Sequence, residues 1–312
     1  MNMIIQIIAA SSLLSLVLTY QTQKYYLKKK FFDDINERSS HSVLATRSGG
    51  IAIFLTLFLS AIYYYFYEVE IFDYSLIIPL SLLLVVGLYD DIYTVDFKLK
   101  LLFQIITAKI LIDNGFIIDN FHGFLGIEDL NRIIAQLFSV FIIVAIINSI
   151  NFIDGIDGLA ALVVSLFIVS YEFFSLYYTT YNNLSLIIVA SILPFLYFNI
   201  FSKNKVFLGD SGSLFLGGVV SIMVLNILSN DYVIKEEYDV NKILYVISIL
   251  SYPIIDIIRV FCLRIFNGKS PFQADKNHIH HILLDKFKSH IRTSFFIISV
   301  SLIITILFQI LL

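Results

Sequence analysis

The sequence predicts an all-α polytopic membrane protein of about ten transmembrane helices, in a single domain over residues 1–312 with cytoplasmic active-site loops. Three observations carry this reading. Of the 312 residues 58% are apolar and 14% charged, with a mean hydropathy of +0.86; ordinary soluble domains hold about 25% charged residues. Apolar runs long enough to span a bilayer succeed one another along the whole chain, and Lys and Arg fall unevenly on alternate loops. The one cysteine, Cys262, lies in an apolar run, which excludes a disulfide framework and a thiolate metal cluster. No nucleic-acid partner is expected.

The first apolar run covers residues 3–20. Its basic residues, Lys24, Lys28, Lys29 and Lys30, follow it rather than precede it, so it reads as a retained helix and not as a secretory signal. Further runs fall near 50–67, 75–90, 99–117, 132–148, 158–178, 184–201, 213–229, 242–266 and 293–312. If the first loop is cytoplasmic, fifteen Lys and Arg residues lie on that side, among them Arg47, Lys98, Lys100, Lys203 and Lys205. The opposite loops hold three, Arg132, Lys235 and Lys242. This bias places both chain ends outside. The same alternation puts four polar stretches on the cytoplasmic face, although they were found independently of charge.

The richest of these is Asn148 to Ala160, in which Asn151, Asp154 and Asp157 are spaced three apart among glycines. On a helical segment they share one face, and two Asp-Gly pairs with no basic partner in the loop argue against a plain loop unless a cation or another loop supplies the charge. Asp90-Asp91 ends an apolar run, where a carboxylate pair can hold Mg2+ or act as a base; a simple acidic helix end is the alternative. Gly209-Asp210-Ser211-Gly212-Ser213 can open a helix whose free amides face an anion, or merely cap it. Asp275, His278, His280 and His281 suit contact with phosphate or sugar better than zinc, which would want helix-matched spacing and a third ligand. Two intramembrane pairs, Lys109 with Asp113 and Asp256 with Arg259, are expected to neutralise one another. Glu172 has no evident partner.

In order, Gly87 to Asp91 with Lys100-Leu101-Leu102, Asn148 to Ala160, Val206 to Ser213 and Asp275 to His281 resemble the motifs of the polyprenyl-phosphate N-acetylhexosamine-1-phosphate transferases. The match spans nearly the whole chain. His41 and Thr46-Arg47-Ser48-Gly49-Gly50 resemble the family's first cytoplasmic motif, with Leu44-Ala45 replacing its usual Pro-Thr.

The resemblance implies transfer of a sugar 1-phosphate from a UDP-HexNAc to undecaprenyl phosphate, with release of UMP, at the cytoplasmic face of a bacterial inner membrane. It also implies Mg2+, with Mn2+ as the alternative, and leaves a homodimer open. By similarity, Asp210 and Asn151 hold the metal, and Asp90, Asp91 and Asp154 are catalytic or shape the metal and phosphate environment. Lys100 meets the diphosphate, Phe207 stacks on uracil, Asp157 hydrogen-bonds the uracil edge, and Arg47, His278, His280 and His281 contact substrate. The spacing His278-Ile279-His280-His281 resembles the branch that primes surface glycans more than the peptidoglycan branch, which makes UDP-GlcNAc the leading donor. A peptidoglycan-branch transferase and a polytopic transporter or flippase are the rival readings. Against the transporter, the acids cluster at one face rather than at the midplane of paired repeats.

Overall fold

The computed structural model describes residues 2–31, 44–229, 232–234, 241–270 and 277–311. The described chain is almost entirely helical, in the order α1 (Asn2–Lys29), α2 (Gly49–Phe66), α3 (Ile77–Tyr93), α4 (Phe97–Asp113), α5 (Arg132–Phe152), α6 (Leu159–Phe174), α7 (Asn182–Ile200), α8 (Gly209–Ile227), α9 (Asn241–Ile249), α10 (Ser251–Phe266), α11 (Ile279–Phe287) and α12 (His290–Leu311). Each of the ten apolar runs is helical. Seven helices are long and apolar enough to cross a membrane, namely α1, α2, α3 with its preceding turn, α5, α7, α8 and α12, and an eighth span results if α9 and α10 are taken together. The chain is therefore a multi-pass membrane protein. The expected count of ten is not reached on length and apolarity among the described residues. One shortfall is α6, with 16 residues; the other is α4, which carries Lys98, Lys100, Lys109 and Asp113 in 17.

Helix ends follow local chemistry. Asn131 caps α5 by accepting the Ile134 amide at 3.0 Å, and Asp96 caps α4 by accepting the Lys98 amide at 3.3 Å. The run over 242–266, expected as one helix, is broken into α9 and α10 with a 73° bend. Pro253 explains the break: it has no N–H for the carbonyl of Ile249, the last residue of α9, and its ring is tolerated only in the first turn of α10.

The helices are organised around α8. Within its apolar window 89% of the residues are buried, against 22% in α1 and in α12, so α8 is enclosed by protein while the other two face lipid. It packs against α2, α3, α5, α6 and α9. With lipid as solvent, close backbone approach drives such packing. At Gly87 of α3 a Cβ would stand 2.4 Å from the carbonyl oxygen of Asp210, so only glycine allows α3 to meet the start of α8 this closely.

The sequence reading contained no strand, yet two short ones occur. β1 (Ala45–Thr46) runs parallel to β2 (Lys205–Val206), with Ala45 opposite Lys205 and Thr46 opposite Val206. The ladder is extended by the Phe207 amide to the Thr46 carbonyl at 2.8 Å and by the Gly49 amide to the Phe207 carbonyl at 3.0 Å. It ties the loop carrying Arg47 to the loop that leads into α8.

Candidate active site

At the C-terminal turn of α3 the two adjacent carboxylates diverge. Asp91 points into the protein and accepts the amides of Asp210 and Ser211 at 2.9 and 3.0 Å, capping the first turn of α8. Gly209 makes room for it: its φ is +75°, and a Cβ there would lie 2.6 Å from Asp91 Oδ2. Asp90 faces the polar space instead. Its Oδ1 accepts the Val95 amide at 2.5 Å and its Oδ2 pairs with Lys100 Nζ at 2.9 Å. The same Nζ lies 2.9 Å from Asp210 Oδ2, so one ammonium is shared by two carboxylates. Lys98, two residues earlier, is exposed and outside the cluster.

Asp210 Oδ1 accepts from Asn151 Nδ2 at 2.8 Å, and that nitrogen also donates to Ser213 Oγ at 2.8 Å. The amide oxygen of Asn151 is thereby left for another partner. Arg47, held nearby by the β1–β2 ladder, has its guanidinium 3.9 Å from Asp91 Oδ1. Asp154, in the turn between α5 and α6, has its pKa pushed well above the usual carboxylate range. Burial is the main cause, followed by the negative charges of Asp210 and Asp91, with Arg47 acting in the opposite direction.

The sequence-predicted residues Asp90, Asp91, Lys100, Asn151, Asp154, Asp210 and Arg47 therefore converge from five separate stretches. Four carboxyl groups meet two basic groups here, and their crowding together with burial keeps a proton on Asp154 until a cation joins them. Asp154, Asp210 and the Asn151 oxygen are hard oxygen donors, the type that Mg2+ takes. The residues present thus fit the metal on both charge and donor chemistry.

Two expectations change. Asp91, expected among the catalytic carboxylates, turns its oxygens to the α8 amides, with Arg47 beside it. Asp157, expected free for a uracil edge, is buried in an ion pair with Lys205. His290 Nδ1 of α12 also lies 3.4 Å from Asp157 Oδ2, and Ser294 donates to the Asp157 carbonyl at 2.9 Å. Asp157 thus fastens the α5–α6 turn to β2 and α12. Phe207 is half-buried beside this junction, its backbone held by the ladder.

The histidine stretch packs onto the same turn. His280 is buried at the start of α11, with Nδ1 3.0 Å from the Tyr252 hydroxyl. A Cβ on Gly155 would lie 2.5 Å from His280 Nε2 and 3.4 Å from His281 Cε1. The rings of His278 and Phe152 are 6.0 Å apart. Burial pushes the His280 imidazole down to about 3, helped by neighbouring His281, so it is neutral near pH 7. His41, Phe272, Asp275 and Lys276 lie outside the described residues.

Sequence reasoning missed Ser213, Lys205, His290 and Tyr252 as members of these networks. Lys205 had been counted only as a loop charge, and its place two residues before Phe207 was the available signal. The expected Asp256–Arg259 pair does not form: Asp256 binds His278, and Arg259 donates to the Asn277 carbonyl at 2.6 Å. The Lys109–Asp113 pair does form, on an exposed surface.

A multi-pass bundle with an acidic, lysine-bridged site at its helix ends defines a membrane-embedded protein with a polar, cation-suited centre. Comparison with known proteins narrows this. Residues 73–228, half of the chain, match the family model described as glycosyl transferase family 4. The chain is 33% identical over 284 residues, 90% of its own length and 77% of the relative's, to a probable undecaprenyl-phosphate N-acetylglucosaminyl 1-phosphate transferase of Bacillus subtilis. Undecaprenyl-phosphate alpha-N-acetylglucosaminyl 1-phosphate transferases of Haemophilus influenzae and Thermotoga maritima are 32% and 28% identical. These alignments cover 81% and 95% of the chain, and 71% and 87% of the relatives. The chain belongs to glycosyl transferase family 4.

Proposed function

We propose that this chain transfers N-acetylhexosamine 1-phosphate, in the first instance GlcNAc 1-phosphate, from a UDP-sugar to undecaprenyl phosphate. An oxygen of the lipid phosphate attacks the sugar-bearing phosphorus of the UDP-sugar, the diphosphate P–O bond breaks, and UMP leaves with the electron pair. The relatives' names support the lipid and the sugar. The single observation that carries the chemistry is Lys100 shared between Asp90 and Asp210 inside a cluster where four carboxyl groups meet two basic groups.

The residues divide the work as follows. Lys100 neutralises the incoming diphosphate, and in turning to it leaves Asp90 without its counter-ion. Asp90 then becomes a stronger base and takes a proton from the lipid phosphate. Asp91 fixes the first turn of α8, and with it Asp210. When bound, Mg2+ held by Asp210, Asp154 and Asn151 supplies charge neutralisation for the diphosphate and the departing UMP. Phe207 offers a ring for the uracil, while Arg47 and the histidines border the phosphates and the sugar. A lipid phosphate arrives along the bilayer and a nucleotide from water, which suits a site at helix ends. We place that face in the cytoplasm of a bacterial inner membrane, on the fifteen-to-three bias of basic residues.

Radiolabel transfer by the purified protein tests this, with undecaprenyl phosphate, a panel of UDP-sugars, and Mg2+ or Mn2+. Labelled lipid with UDP-GlcNAc and release of UMP are expected. Labelled lipid only with UDP-MurNAc-pentapeptide would return the peptidoglycan-branch reading, and no labelled lipid with any donor would overturn the proposal. With Cys262 replaced by Ser, a Lys98→Cys variant, exposed on the same face, should resist an impermeant thiol reagent in intact spheroplasts and react in inverted vesicles.

A further inference from the structure

Asp256 lies in α10, fully inside the protein, and is not part of the carboxylate cluster. Its two oxygens are both used by the histidine stretch. Oδ2 is 2.6 Å from His278 Nδ1, and Oδ1 accepts the amide of Ile279, the first residue of α11, at 2.7 Å. A neutral imidazole that donates from Nδ1 carries its lone pair on Nε2. Arg264, two turns further along α10 and also buried, places its guanidinium 3.4 Å from that Nε2, and a guanidinium can only donate. Carboxylate and guanidinium thus require the same tautomer from opposite edges of the ring. One turn before Asp256, Tyr252 holds His280 Nδ1. His280 Nε2 is buried without a hydrogen-bond partner and aimed at Gly155.

We propose that Asp256 is a positioning residue for the transfer reaction: it fixes the Nδ1-protonated form of His278 and the first turn of α11, so that His280 presents a free ring nitrogen at the Gly155 turn. Only the use made of that nitrogen rests on the function proposed above; the tautomer and the orientation do not. Asp256, His278 and His280 also have ligand atoms within 4.8 Å of one another, as a metal site would. The arrangement disfavours a metal ion. Asp256 and His278 already share a proton, and a cation would have to settle beside the Arg264 guanidinium.

The test uses the full-length protein with 15N-labelled histidine. His278 is assigned through His278→Gln, and Asp256→Asn and Asp256→Glu are compared for folding, metal content and transfer kinetics. In the wild type, His278 should show a protonated Nδ1. Folded Asp256→Asn should lose that signature and raise the KM for UDP-GlcNAc about tenfold to a hundredfold, with a smaller change in kcat; Asp256→Glu should recover part of both. If Asp256→Asn does not fold, the wild-type signature and the Glu variant decide. An Nε2-protonated His278 in the wild type, an unchanged KM in folded Asp256→Asn, or one bound zinc per chain that Asp256→Asn loses would each overturn the proposal. Absence of transfer by the wild type would instead overturn the proposed function, leaving the nitrogen spectra to judge Asp256.

Discussion

The two ends of α6 bury acidic groups in opposite ways. Near its C-terminus Glu172, which the sequence left without a partner, accepts from the Thr179 hydroxyl at 2.8 and 2.9 Å, from Asn182 Nδ2 at 2.9 Å and from Ser185 Oγ. Every donor is neutral, and together they occupy both carboxylate oxygens. At the other end, about 20 Å away along the helix, Asp154 joins Asp90, Asp91 and Asp210 around Lys100 and Arg47. The first arrangement is complete without a ligand and joins α6 to α7. The second is electrostatically incomplete, which is the expected state of a site that awaits a cation and a phosphate.

This contrast makes rate and stability respond differently at the two ends. The largest effect is expected for Asp210→Asn, which keeps shape and hydrogen bonding but removes one charge from the incomplete cluster. Transfer should fall by about a thousandfold or more, with the melting temperature nearly unchanged, in a radiolabel assay under Mg2+ titration. Wild-type turnover at limiting Mg2+ would remove Asp210 from the metal site. Lys100→Met comes next, since it leaves Asp90 and Asp210 facing one another. A loss of about a hundredfold or more is expected, with partial recovery in Lys100→Arg, because the ammonium acts through its charge.

Lys205→Met should act on stability first, leaving the buried Asp157 with His290 but without its ammonium, at a cost of about 3 kcal/mol. A double-mutant cycle with Asp157→Asn measures the coupling, and additive effects would argue against the pair. Glu172→Gln should be the mildest. One oxygen becomes a donor facing donors, at about 1–3 kcal/mol, while kcat and KM stay unchanged; a large loss of turnover would erase the distinction between the two ends. His280 provides a pH check on the site end. Its imidazole titrates near 6.5 when unfolded and near 3 when folded. The unfolded chain therefore binds more protons between these values, and this group's contribution to stability is complete above pH 6.5 and lost as pH falls toward 3. A His280 ring resonance titrating near pH 6.5 in the folded protein would contradict its burial.

Much of this was legible in the sequence, and the failures have physical causes. Apolar runs give helices in lipid because nothing else satisfies their backbone, so all ten runs were found. Asp90, Asn151, Asp154 and Asp210 stood out because such groups are costly at a membrane edge. The bend at Leu250 was readable from Pro253, but an unbroken apolar pattern outweighed it. Asp256 was misassigned because Arg259 lies at a helix-neighbour spacing, whereas its true partner His278 is 22 positions away in the chain. Asp157 and Lys205 are 48 apart and meet only through a ladder too short to leave any alternating pattern. Glu172 looked orphaned because its donors are neutral side chains, which a charge-based reading passes over.

Enclosure of α8 has a further consequence for how the site moves. Asp210 and Ser213 are carried on the most enclosed of the described spanning helices, so their backbone amides should exchange with solvent only when the whole bundle opens, far more slowly than those of α11.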